Sequence, residues 1–158
     1  MSNYILTTDG ELYHYGVKGM KWGVRKAQKQ YKKYAIAYEN DALKSSQKLS
    51  LDAYNKTADE YNNGKTAEFN KKHNPKSKTY MDDLNRQFEQ DYRRNFDKMK
   101  LNEMMNNPNF KKAQAISKKY DLTKVDELAK RNEQFVTELK KAISEGKTSW
   151  DIMGKYEG

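Results

Sequence analysis

Ala27, Tyr31, Tyr34, Tyr38, Ala42, Ser45, Leu49 and Ala53 follow one another at intervals of three or four residues. That spacing lays them along one side of a 3.6-residue helix and does not suit a strand, whose faces alternate every second residue. Three further runs keep the same period. Met81, Leu84, Phe88, Tyr92, Phe96 and Met99 continue toward Met104, Phe110, Ala113, Ile116 and Tyr120 form a shorter run, and Val125, Leu128, Phe135, Leu139 and Ile143 form the last. The spacing predicts helices near 24–62, 79–106, 108–120 and 124–145. The fold class is mainly α, an elongated helical bundle or a helical hairpin in which the two longest helices pair antiparallel.

The punctuation between the runs refines this. Asn62-Asn63-Gly64 reads as the end of the first helix, and Ser45, Ser46 and Ser50 are points where it breaks or bends. Residues 63–78 read as a polar linker, since Pro75 disfavours helix at Asn74. Thr79 with Asp82, and Thr123 with Asp126, have capping-box spacing. Asn107-Pro108 places a good cap before a first-turn proline. Gly146 is the stop of the last long helix, and residues 148–153 form one more turn that docks Trp150 and Ile152. Ahead of the helices, Tyr4-Ile5-Leu6 and Leu12-Tyr13-His14 flank the turn dipeptide Asp9-Gly10, predicting a small N-terminal β-hairpin. The expected organisation is a hairpin and glycine-rich segment over 1–23, a long basic helix over 24–62, a linker over 63–78 and a helical domain over 79–158.

Composition limits the chemistry. The chain has 158 residues, 35% hydrophobic content and a mean hydropathy of −1.22, which allows a slender core. It has no cysteine, which excludes thiolate metal sites, disulfides and cysteine nucleophiles. His14 and His73 are the two histidines, and neither has a carboxylate at metal-ligand spacing. The glycines at 16, 19 and 23 lack the Gly-Lys-Ser/Thr ending of a phosphate loop. Asp59-Glu60 and Asp82-Asp83 diverge by about 100° on a helix, so they make poor acid–base pairs. The expectation is a protein that is not an enzyme and has no catalytic residues, metal or cofactor. A weaker alternative makes His14, between Tyr13 and Tyr15, an unrecognised base. No run approaches a membrane span, and the N-terminus lacks the pattern of a secretory leader.

The formal charge is +9, and it is unevenly placed. Residues 18–34 hold Lys18, Lys21, Arg25, Lys26, Lys29, Lys32 and Lys33 and no acid, whereas residues 35–158 hold 24 bases against 20 acids. One reading is a solvated lysine-rich face, with Trp22 plugged into the helical core. The sharper reading makes Lys18, Lys21, Trp22, Arg25, Lys26, Lys29, Lys32 and Lys33 a binding surface for nucleic acid or an acidic protein. Aromatic residues among the bases suit stacking or a mixed interface.

The stretch from Glu11 to Lys26 carries His14-x-Gly16-Val17-Lys18-Gly19-Met20-Lys21-Trp22-Gly23-Val24-Arg25. It resembles a short motif of phage and prophage proteins from low-GC Gram-positive bacteria. This chain departs from the motif's usual Tyr-Gln continuation and runs directly into Ala27-Gln28-Lys29. The resemblance implies mobile-element origin and residence in the bacterial host cytoplasm or the virion. Two functions follow as expectations. The first is a virion-associated or morphogenesis protein contacting nucleic acid or a phage structural protein. The alternative is an inhibitor of host defence, of anti-CRISPR type, that occludes a nuclease effector.

Overall fold

The computed structural model describes the backbone of residues 4–6, 12–14 and 22–153, and burial and side-chain contacts between residues 23 and 151. It is mainly helical. Two three-residue segments, β1 (Tyr4–Leu6) and β2 (Leu12–His14), pair antiparallel with Tyr4 opposite His14. The expected Asp9-Gly10 turn between them lies outside the described residues. Tyr15, Met20 and Trp22, which the sequence places at the joint between hairpin and helices, cannot be followed there, since Tyr15, Met20 and the Trp22 side chain also lie outside the described residues.

The helices are α1 (Trp22–Glu60), α2 (Thr66–Lys72), α3 (Tyr80–Asn106), α4 (Pro108–Tyr120), α5 (Glu127–Ser144) and α6 (Ser149–Met153). The serines expected to break α1 do not. The hydroxyls of Ser45 and Ser46 donate to the carbonyls of Ala42 and Leu43 within the helix, and Ser50 shares a 2.5 Å hydrogen bond with the Tyr92 hydroxyl of α3. Gly64 is where regularity fails. Its φ of 147° lies in a region open to glycine, and the turn from Tyr61 to Lys65 widens around it. Helix then resumes, so residues 66–72, expected as polar linker, are α2. Phe69 anchors them. It is buried, stacks on His73 at 3.9 Å and meets Tyr80 edge-on at 5.7 Å.

Caps explain the remaining boundaries. The Asn107 carboxamide accepts from the backbone N–H of Asn109 and Phe110, with Pro108 in the first turn of α4. The expected box at Thr123 and Asp126 is replaced by a short 3-10 turn over Leu122–Lys124, and Asp126 itself caps α5 through the N–H of Ala129 at 2.9 Å. At Thr79 the hydroxyl pairs with Ser77 at 3.2 Å in the preceding turn. Gly146, at φ 70°, ends α5 with Lys147 N–H donating to the Ala142 carbonyl at 2.8 Å.

The chain divides into two compact units, residues 1–41 with 105–134 and residues 42–104 with 135–158. In the first unit Ala27, Tyr31 and Ala35 of α1 meet Ala113 of α4, Leu122 and Ala129 of α5, with Val24, Tyr34, Ile116 and Leu128 around them. Small alanines let the backbones approach, and Leu122, fully buried, fills the centre. Tyr38 packs on Phe110 at 5.1 Å, and the Tyr31 hydroxyl accepts from Asn132 at 2.8 Å. Helices α1 and α4 run antiparallel here, since Tyr34 lies by Lys112, Asp41 by Asn107, and Gly23 by Tyr120.

In the second unit α1 and α2 run antiparallel to α3, as the pairs Thr57–Asn95, Tyr61–Asp91 and Phe69–Tyr80 show. The apolar run expected as the core of α3 is only half-buried, and Met81 is 58% exposed. Asp91, Asn95 and Asp97 are the deeply buried positions of α3, together with Met104. The side chains of Asp91, Asn95, Asp97 and Thr57 each have a hydrogen-bond partner, as burial demands. Thr57 accepts from the Asn95 carboxamide at 2.9 Å, and Asp91 accepts from Tyr61 and pairs with Arg94 and Lys65. Asp97 holds α6 by accepting from the Ser149 N–H at 2.7 Å and hydroxyl at 2.8 Å.

Candidate nucleic-acid interface

Val24, Ala27, Tyr31, Ala35 and Tyr38 turn α1 toward the first unit's core. The helical period then fixes what faces water. Arg25, Lys29, Lys32 and Lys33 recur at i, i+4, i+7 and i+8 on the opposite side, with Lys26 at its edge. Lys26, Lys29, Lys32 and Lys33 are exposed and Arg25 is half-buried. Among the described residues no carboxylate forms an ion pair with any of the five. Residues 22–38 contain no acid, the first being Glu39.

Five of the eight residues expected to bind are thus brought together as one stripe. Lys18 and Lys21 lie outside the described residues, and Trp22 is described only as the first backbone position of α1.

Four lysines that the sequence reading passed over lie on α4, the helix that runs antiparallel to α1 in this unit. Lys111, Lys112, Lys118 and Lys119 are exposed on α4, which contains no acid. A signal for them existed in the two Lys-Lys pairs seven residues apart, a spacing that repeats one helix face. At the seam between the helices, the Tyr34 ring carries the Lys33 ammonium at 5.7 Å and the Lys112 ammonium at 5.4 Å. At the other end Lys119 lies 5.4 Å from the Tyr120 ring, whose edge meets Gly23.

Beneath the stripe the groups are structural. Burial raises the Tyr31 hydroxyl pKa above 10.0, partly opposed by the hydrogen bond from Asn132 and reinforced by Asp126 and Glu133, so the phenol stays neutral. Gln28 donates to Asp126 at 3.2 Å, which occupies that carboxylate on the core side. Lys124 is held protonated by its hydrogen bond with Asp121 at 2.8 Å.

No cluster of three or more histidine, aspartate or glutamate side chains among the described residues could hold a metal ion. His73 is exposed, as its place in the expected polar linker suggests; its ring stacks on Phe69 and its Nδ1 lies 3.2 Å from the Phe69 carbonyl. The side chain of His14 is outside the described region. Among the described residues no helix is long and apolar enough to cross a membrane. The arrangement can neutralise anionic groups over a solvent-facing surface.

A model described as a family of unknown function, DUF7211, matches residues 6–29. The match begins at the last residue of β1 and takes in β2, the glycine-rich segment and the first bases of α1. Neither a curated protein nor a solved structure matches the chain.

Proposed function

We propose that this chain is a small non-catalytic binding protein of phage or prophage origin that engages a polyanionic partner through the start of α1. The observation that carries the reading is the stripe of Arg25, Lys26, Lys29, Lys32 and Lys33, which faces away from the core with no carboxylate paired to it among the described residues. Like charges held a helical turn apart repel one another, and an anionic partner relieves that repulsion while releasing counterions. The reading assigns the N-terminal arm a hairpin closed at Asp9-Gly10 and includes Lys18, Lys21 and Trp22 in the contact. Its biological setting is virion association or morphogenesis, in the host cytoplasm or the virion.

Elution from immobilised heparin tests it. K29E/K32E/K33E should elute at clearly lower salt than K71E/K72E/K76E, which makes the same charge change at exposed positions of the second unit. Equal elution of the two variants means that net charge alone governs retention, and the stripe then has no special role.

A further inference from the structure

We propose that α4 supplies the second half of this contact and that the partner is the sugar–phosphate backbone of a double-stranded nucleic acid, bound without sequence preference. The inference rests on the polyanion reading above and extends it to a partner class and a second helix.

The seam at Tyr34 joins the two helices' cations. Ammonium groups from two different helices, Lys33 and Lys112, share one tyrosine ring at 5.7 and 5.4 Å. The electron-rich ring face offsets part of the repulsion between them, and a bridging phosphate would offset more. Because α1 and α4 run antiparallel, the cationic row of α4 continues beside that of α1 as far as Lys119 and Tyr120, next to Gly23.

The choice of partner follows from what accompanies the lysines. Protein interfaces are depleted in lysine and rely on aromatic, methionine and arginine anchors. Here the bases are lysines apart from Arg25, and the large apolar side chains exposed on this part of α1 and on α4 are Ile36 and Tyr120. That favours phosphate over an acidic protein. Single strands are held by aromatic platforms on which bases stack. Tyr31 is buried with its hydroxyl bonded to Asn132, and the Tyr34 and Tyr120 rings already carry lysine ammoniums. Among the described residues the surface offers point charges, which contact phosphates and position a duplex without reading its bases.

Fluorescence anisotropy of the full chain tests this with three probes at one salt concentration: a duplex DNA, a single strand of the same length, and polyglutamate. The duplex should bind tightest, and K111Q/K112Q/K118Q/K119Q should weaken it at least about tenfold through lost counterion release. K111Q/K118Q, which spares both ring contacts, should lie between that variant and the parent protein, so that disturbed packing at Tyr34 cannot imitate the result. If the α4 variants bind the duplex like the parent while K29Q/K32Q/K33Q binds weakly, the extension to α4 is overturned and the polyanion reading stands. Tighter binding to the single strand or to polyglutamate overturns the duplex assignment. Binding to none of the probes removes both readings.

Discussion

The Tyr61 hydroxyl donates to the Asp91 carboxylate at 2.5 Å, joining the widened turn after α1 to the middle of α3 inside the second unit. Asp91 is 7% exposed, and it also pairs with Arg94 at 3.3 Å and Lys65 at 3.5 Å. Burial lowers the tendency of Lys65 to hold its proton, but Glu60 and Asp91 outweigh it and the net shift is upward. A buried carboxylate of this kind is tolerated because its acceptor sites are filled.

Tyr61→Phe should therefore destabilise the protein by roughly 1–3 kcal/mol at neutral pH, the cost of leaving a buried acceptor short of a donor. The effect should depend on pH. Burial, followed by the bond to Asp91, raises the Tyr61 pKa above its ordinary 10.0. The folded state holds this proton more tightly than the unfolded chain, so the contribution is complete below pH 10 and fades as pH rises above it. Urea unfolding of parent and variant at neutral pH and at about pH 11 checks this, and the gap between them should narrow at the higher value.

Much of α1 was legible because alanines and tyrosines at helical spacing leave a periodic trace, and Ala27, Tyr31, Tyr38 and Ala53 are indeed buried. The caps at Asn107 and Gly146 were legible for the same local reason. The core of α3 was not. Hydropathy ranks Phe88, Tyr92 and Phe96 above Asp91, Asn95 and Asp97, yet burial follows the partners offered by Thr57, Tyr61 and Ser149 on other elements. Gly64 reads as a stop because the buried anchor beyond it, Phe69, has no aromatic or large aliphatic neighbour in sequence. In the candidate site, the run at Arg25 to Lys33 is visible in the sequence, and so are the Lys-Lys pairs of α4, but that α4 lies against α1 shows only in the antiparallel seam at Tyr34.

Gly64→Ala should cost roughly 1–3 kcal/mol, because a φ of 147° strains any residue with a Cβ. Nothing lies within 4 Å of the added methyl, so the cost is conformational rather than steric crowding. A thermal melt checks the loss. A variant as stable as the parent would show that the widened turn relaxes without penalty.

Asp97→Ala should release α6. Ser149 would lose both of its acceptors on α3, and Arg93, which reaches the Ser149 hydroxyl at 2.9 Å and lies 4.7 Å from the Trp150 ring, would lose the carboxylate that orients it. Removing a partner from a buried ion pair costs about 3–5 kcal/mol. Hydrogen exchange should show faster amide exchange at residues 148–151 than in the parent.

Leu122→Ala should destabilise the first unit by about 2–5 kcal/mol, since the side chain is fully buried and its removal leaves a cavity. Chemical denaturation measures it.

The central claim is that the solvent-facing bases at the start of α1 make the functional contact. The most direct test is the salt dependence of duplex binding, measured for the parent and for K29Q/K32Q/K33Q between about 0.05 and 0.3 M salt. Each phosphate contact contributes about −0.9 to the slope of log affinity against log salt, so the triple variant should show a slope shallower by about 2 to 3. Parallel lines of equal slope for the two proteins would contradict the account.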